Sequence, residues 1–325
     1  VLDYFTIIIM VNLLIVPRSK NLKKINCDTE PNTRVQAIIN AYAKVNNINP
    51  NRVKLSYNFD DDTKTKKQVR KTLKDYETLE ENGLDFTQTD TLTVGAKDVG
   101  PQIGWRLVYF IEYFGPMLIH SLIYFGLYDP TYNTITQKAA YILTLLHYLK
   151  REYETLFVHL FSADTMPLSY LFRNCGHYWI FNGLFMAFSM YAPQAVEYTG
   201  CKSILFHVED RTLGQTEAFA ALWLLCEICN FYCHWLLRQL RADGSKEHKI
   251  PYGFMFEYVS FPNYFFESLG WLFYAIYVNN WSAYLFFVIG TGTMMKWAIN
   301  KHHKYIKEFG DKYPKERKAM IPFII

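Results

Sequence analysis

Hydrophobic and polar positions divide this chain into two unlike parts. Residues 1–98 interleave short apolar runs with lysine, aspartate, asparagine and threonine, whereas residues 104–300 hold long stretches rich in Phe, Tyr, Leu and Trp. In the first part, the apolar run Phe5 to Val16 is too short to span a bilayer and reads as a buried strand or hairpin, with a signal peptide as the second reading. Val35, Ile38, Ile39 and Tyr42 recur at helical spacing and predict an amphipathic helix capped by Asn32 or Thr33. Arg52 to Tyr57 and Thr91 to Val94 alternate with period two, as strands do, and between them lie Leu73, Tyr76, Leu79 and the turn-like pair Asn82-Gly83. Beyond the turn-rich joint Lys97 to Arg106, six apolar stretches follow at roughly 104–127, 137–158, 176–197, 215–237, 262–279 and 282–300. Each approaches the ~20 residues that cross a hydrocarbon core.

The strand–strand–helix–strand–strand order of the first part resembles a ubiquitin-like β-grasp domain. The predicted fold is therefore a polytopic α-helical membrane protein of about six transmembrane helices. A ubiquitin-like domain occupies residues 1–98 and the membrane part residues 99–325. Basic residues orient it. Lys150, Arg151 and Arg173, then Arg238, Arg241, Lys246 and Lys249, then the run from Lys301 to Lys318 share the side of the N-terminal part, against only Lys138, Lys202 and Arg211 opposite. Positive residues stay cytoplasmic, which puts both termini there. Asn280-Trp-Ser is a formal glycosylation sequon in a very short turn, where no sugar is expected.

Composition adds exclusions. A net charge of +4 without an aromatic-interleaved basic stripe does not suit nucleic acid. The six cysteines show no disulfide spacing, and Cys226, Cys229, Cys233 and His234 fall within one apolar helical run, which reads as helix packing and not as a metal site. Gly290-Thr-Gly292 has no preceding strand, so close helix packing explains it better than dinucleotide binding. Taken singly, Lys150 and Arg151 read as cations snorkelling to phosphates, and Tyr148 and Tyr264 as interfacial aromatics. The carboxylates Glu112 and Glu267 resist such readings, because an acid within a span needs a partner or a wet cavity. Together with Asn230, His234, Asn263 and the Lys301 to Tyr305 group, they predict a cation-lined polar chamber at the cytoplasmic side that suits a phosphate-bearing ligand.

Five motifs, Gly100-Pro-Gln-Ile-Gly-Trp-Arg106, Glu112-Tyr-Phe-Gly-Pro116, His147 to His159, Pro262-Asn-Tyr-Phe-Phe-Glu267 and the tail Lys318 to Ile325, together resemble the very-long-chain trans-2-enoyl-CoA reductases of the steroid 5α-reductase family. The resemblance implies NADPH as cofactor, a long-chain trans-2-enoyl-CoA as substrate, the endoplasmic reticulum membrane as location, and other fatty-acid elongation enzymes as partners. It implies Tyr148 as proton donor with Glu112 orienting it or the substrate, and Tyr264 as a competing donor. Cofactor contacts carried over are Asn230, Arg241, Asn263, Glu267, His302 and Tyr305, with Arg151 and Lys249 as phosphate partners. His234 and His248 stand where steroid-reducing relatives carry an acidic and an aromatic residue. The alternatives are a 3-oxosteroid 5α-reductase, an isoprenylcysteine-type membrane methyltransferase and a non-catalytic adaptor.

Overall fold

The computed structural model describes residues 10–59, 69–86, 91–161, 163–194, 197–244 and 248–325. The first residues of the apolar run, Phe5 to Ile9, and Lys246 lie outside these ranges. The chain divides into two compact units, one running to Ile103 and including Thr165–Ser169, the other comprising Gly104–Asp164 and Tyr170–Ile325.

The first unit contains β1 (Val11–Pro17), β2 (Ile25–Thr29), α1 (Val35–Asn46), β3 (Val53–Phe59), β4 (Val69–Thr72) and β5 (Thr91–Asp98). The strands form one sheet in the order β2-β1-β5-β3-β4, with β1 parallel to β5 and the other pairs antiparallel. This is the arrangement expected of a β-grasp domain. Period-two alternation sends Val11, Leu13 and Ile15 of β1 to the same side as Leu92 and Val94 of β5. There they bury against Val35, Ile38, Ile39 and Tyr42 of α1.

The helix start differs from expectation. Arg34 occupies the N-cap without a side-chain bond, and Thr33 instead accepts from the Glu30 amide at 3.3 Å, closing the preceding turn. Asn47 ends the helix in the left-handed region at φ 53°. In the connection from β4 to β5, Leu73 and Leu79 are buried, whereas Tyr76 is exposed. The turn expected at Asn82-Gly83 forms: Gly83 takes φ 80°, and the buried Asn82 amide donates to the Lys74 and Thr78 carbonyls while accepting from the Lys74 amide.

A short pair, β6 (Gln102–Gly104) and β7 (Thr165–Pro167), and a helical array complete the chain. The helices are α2 (Trp105–Leu122), α3 (Ile135–Tyr153), α4 (Ser169–Gly176), α5 (Ala187–Met190), α6 (Cys201–Leu205), α7 (Leu213–Gln239), α8 (Pro262–Val278) and α9 (Trp281–Phe309). Wider π turns extend α2 to Leu127 and α3 to Val158 and fill the stretch between α4 and α5. Capping boxes start α3 (Thr134 with Gln137) and α7 (Thr212 with Gln215). Asn280, of the sequon, is fully buried and caps α9 by accepting from the Ser282 amide.

Each of the six predicted apolar stretches overlaps a helical segment, the third only as far as Met190, yet among the described residues only Trp105–Leu127 and Leu213–Gln239 are long and apolar enough by length and composition to cross a membrane. Charges in α3 and the 17-residue length of α8 set two of the others apart. The polarity of α2 is inverted relative to a water-soluble helix. Leu107, Phe110, Phe114, Leu118 and Leu122 form an exposed apolar stripe, while Glu112 and His120 are buried. On α7 the exposed stripe is Leu225, Ile228, Tyr232 and Trp235, and Glu227, Asn230 and His234 face inward. Cys226 packs near Gly270 of α8, where an added Cβ would lie 3.5 Å from the cysteine Cβ.

In the first unit, Asp98 is fixed by Arg52 (2.6 and 3.0 Å), Asn21 (2.6 Å) and the Gly100 amide (2.8 Å). The Arg52 guanidinium leads in holding its carboxyl at about 2, below the ordinary 3.8. A depressed folded-state pKa stabilises above the ordinary value, and that stabilisation is lost as pH falls through about 2. Arg52→Ala is therefore expected to lower the opening free energy of the β3–β5 amides near neutral pH and to converge with the wild type in strong acid. Hydrogen exchange across a pH series measures this; a gap that persists at low pH would exclude the linkage.

Candidate active site

Two cavities lie within the second unit. The inner one, of about 550 Å³, is bounded by Glu112 and Tyr113 of α2, Arg151 of α3, Asn230 of α7, Glu267 of α8 and one face of α9. The outer one, of about 320 Å³, is rich in cations: Arg238, Arg241, His248, Lys249 and Lys301 line it, with Tyr305. Tyr109, Arg151, His234, Asn263 and Tyr264 line both and form a common wall.

Helical spacing builds that wall. Asn230 and His234 are one turn apart on α7, as are His147 and Arg151 on α3 and Asn263 and Glu267 on α8, so each pair presents to one side. Behind it lies a buried ionic network. Glu154, wholly buried, accepts from Arg151 at 2.5 Å, lies 3.0 Å from His234 Nδ1 and 3.6 Å from Lys150. Glu227 of α7 lies 2.7 Å from Lys150 and 2.9 Å from His147, whose other ring nitrogen is 3.3 Å from Glu267. Lys150 also donates to Asn230 Oδ1 at 2.5 Å, and Asn230 donates to the Asn263 carbonyl at 2.8 Å. Arg151 donates to the Tyr113 hydroxyl at 2.8 Å. Charges this deep are tolerable only when paired and hydrogen-bonded, so the network locks α3, α7 and α8 together.

Electrostatics distinguish the cavities. In the outer one, among the described residues, Arg238 donates to the Phe157 and Val158 carbonyls and Arg241 to the Leu160 carbonyl at 3.0 Å. Neutral acceptors leave their charge uncompensated and suited to an anionic ligand. Lys249 pairs with Asp243 and His248 with Glu308 at 2.9 Å. Glu112 Oε1, in the inner cavity, is buried without a partner, and Asn263 Oδ1, on the common wall, is likewise buried and unpartnered. Buried polar atoms of this kind mark where a ligand completes the bonding.

Comparison with known proteins places this geometry in a family. Residues 164–325 match the model of 3-oxo-5-alpha-steroid 4-dehydrogenases. The chain is 46% identical, over 72% of its length and 76% of the relative's, to a Schizosaccharomyces pombe protein provisionally named an enoyl reductase. It is 41% identical to the very-long-chain enoyl-CoA reductase of Dictyostelium discoideum, over 72% of this chain and 74% of that one. A Caenorhabditis elegans protein, provisionally named a very-long-chain enoyl-CoA reductase, is 34% identical over 78% and 82% of the two chains. The chain belongs to the very-long-chain enoyl-CoA reductase family.

Within this family member the residues singled out from sequence separate into groups. Glu112, Asn230 and Glu267 line the inner cavity, Arg241, Lys249 and Tyr305 the outer, and Arg151, Asn263 and Tyr264 both. Tyr148 and His302 line neither. His302 bonds Ser260 at 2.6 Å, and the same Ser260 oxygen lies 2.6 Å from the Tyr313 hydroxyl, so this histidine braces the C-terminal segment. Tyr148 is fully buried one ring behind the inner cavity, its ring 6.3 Å from Tyr113 and 6.4 Å from Trp271, and its hydroxyl has no partner. Those two rings, Tyr113 and Trp271, both line that cavity.

Sequence reasoning passed over Glu154, Glu227 and Tyr178. The two glutamates were identifiable as acids in apolar stretches, the same signal that exposed Glu112. Tyr178 is one of many tyrosines and carried no distinguishing mark. Glu154, His159 and His234 also bring three potential metal-ligand atoms within 4.8 Å of one another, but Arg151 already donates to Glu154 and lies 3.2 Å from His234 Nδ1, placing a cation against that group. Glu154→Gln leaves Arg151 and Lys150 short of a buried countercharge and is expected to cost about 3–5 kcal/mol. Thermal unfolding of the detergent-solubilised protein measures it; an unchanged midpoint would mean the network does not hold the helices.

Proposed function

We propose that this protein reduces the double bond of long-chain trans-2-enoyl-CoA with NADPH, giving saturated acyl-CoA as the last step of fatty-acid elongation at the endoplasmic reticulum membrane. The observation that carries this reading is the common wall between a cation-rich cavity and a larger one holding an unpartnered carboxylate oxygen. A phosphate-bearing nucleotide and a second molecule that must react with it need such an adjoining pair of spaces. Arg241, Lys249 and Lys301 would hold phosphates. The unpartnered Asn263 Oδ1 is an acceptor of the kind a carboxamide N–H completes. NADPH, when bound, supplies the hydride for the β-carbon and leaves as NADP⁺, while a proton adds at the α-carbon.

During that addition negative charge develops on the thioester oxygen, and a pre-positioned donor there lowers the barrier most. We assign this donor to Tyr148. Its hydroxyl is buried without a partner one ring behind the inner cavity, while Tyr264, which lines both cavities and accepts from Lys301 at 3.3 Å with its own proton free, is the competing donor. Glu112 orients the substrate or the donor. The six helical stretches serve as membrane spans with both termini cytoplasmic. The exposed stripe Ile142, Leu146, Leu149 and Tyr153 on the charge-bearing α3 supports this, as does the clustering of basic residues on one side. Residues 1–98 act as an appended ubiquitin-like domain, and other elongation enzymes are the partners. The matched steroid dehydrogenase model keeps 3-oxosteroid reduction as the competing outcome of the assay.

The purified protein is expected to oxidise NADPH with long-chain trans-2-enoyl-CoA and not with a 3-oxo-Δ4-steroid. Tyr148→Phe should lower kcat about 10²–10³-fold with NADPH binding retained. Full activity in that variant alongside an inactive Tyr264→Phe would transfer the donor role. Separately, Arg241→Ala should raise the KM for NADPH about tenfold or more with a smaller change in kcat, as expected for one lost charge-assisted contact. Titration with NADPH checks this, and an unchanged KM would remove Arg241 from the cofactor site.

A further inference from the structure

Gly290 sits where helix packing does not require a glycine. Close approach was the expected reason for Gly290-Thr-Gly292, but a Cβ built at Gly290 would meet only His177 Nε2, at an ordinary 4.0 Å, and one at Gly292 would meet nothing within 4 Å. Gly290 lines the inner cavity, so the missing side chain leaves its volume to that cavity.

The surroundings indicate what would use this space. The ionisable side chains of the cavity come mostly from α2, α3, α7 and α8, while α9 contributes Phe286, Phe287, Met294 and Trp297 together with the hydroxyls of Thr291 and Thr293. From Phe286 to Trp297 that face runs roughly 16 Å along the helix axis, at about 1.5 Å per residue. At the Phe286 end, His177 stacks on the ring at 5.1 Å and Trp271 meets it edge-on at 4.8 Å, forming an aromatic floor. Gly290 lies one helical turn from Phe286, between the floor and Met294. The α9 face, mostly apolar, runs to this floor, where Trp271 also donates to Glu267 at 3.1 Å, and a mostly apolar face beside a buried carboxylate matches an acyl chain attached to a polar reacting end.

We propose that Gly290 sets the length of acyl chain this protein accepts, by leaving the cavity open above the Phe286–His177–Trp271 floor. The proposal rests on the enoyl-CoA reading above and adds the residue that selects among its substrates. A leucine at this position is compatible with the helix and gains in helix propensity, and its side chain would occupy that space.

The test is NADPH oxidation by the purified full-length protein with hexenoyl-, decenoyl- and hexadecenoyl-CoA, comparing wild type, Gly290→Ala, Gly290→Leu and Val288→Leu. Val288 is 61% exposed, and its variant is expected to match wild type with every substrate. Gly290→Leu should lower kcat/KM for hexadecenoyl-CoA about tenfold or more while changing hexenoyl-CoA less than about twofold, with Gly290→Ala between. An equal fall for all three substrates in Gly290→Ala, or undiminished hexadecenoyl-CoA reduction by a folded Gly290→Leu, would overturn the proposal. A wild type that oxidises NADPH with none of the three would bring down the enoyl-CoA reading itself.

Discussion

Burying Lys150 and Arg151 among helices costs several kcal/mol for each charge unless carboxylates meet them there. Glu154 and Glu227 do so, at 2.5 Å from Arg151 and 2.7 Å from Lys150. Glu154, which begins the π turn after α3, is placed by its own helical segment, three residues beyond Arg151 and four beyond Lys150. Glu227 instead comes from the middle of α7, and His147 ties it to Glu267 on α8. The cross-helix pairing therefore fixes the rotation of three helices about their axes. The side chains that α3, α7 and α8 send to the cavities take their direction from that fixed rotation.

The same network accounts for the difference between the cavities. Beside the inner cavity Arg151 pairs with Glu154, and Lys150 with Glu227 and Glu154, while Arg173, which also lines it, lies over the Tyr170 ring. In the outer cavity, Arg238 and Arg241 rest on main-chain carbonyls and retain their charge. The outer compartment thus gathers cations, the inner one holds the open Glu112 acceptor, and Asn263, on the wall between them, holds a second. Such a division suits a polyanionic nucleotide on one side and a largely apolar reactant with a polar head on the other.

On α2, α3 and α7, stripes of apolar side chains face outward while several ionisable ones face inward. On α2 the stripe from Leu107 to Leu122 faces away from Glu112, and on α3 the stripe from Ile142 to Tyr153 faces away from His147 and Tyr148. Hydrocarbon accepts the first kind of surface and rejects the second, which leaves the polar groups to satisfy one another internally. The first unit follows the ordinary rule, burying Leu13, Leu79 and Val94 and exposing its described lysines.

Sequence alone determined what depends on neighbours along the chain. A short apolar run located β1, period-two alternation located β3 and β5, helical spacing located α1, and long apolar runs located the helical stretches, because each pattern records how one segment partitions between solvents. Acids placed within those runs likewise revealed Glu112 and Glu267. Tertiary structure decided which way each side chain turns. It put Tyr264 on the common wall and Tyr148 one ring behind the inner cavity, moved His302 into a bracing bond with Ser260, and opened space at Gly290 where packing had been expected. Helix rotation and the distances between helices are set by contacts among residues far apart in sequence, Lys150 with Glu227 foremost, and no local pattern encodes a contact of that range.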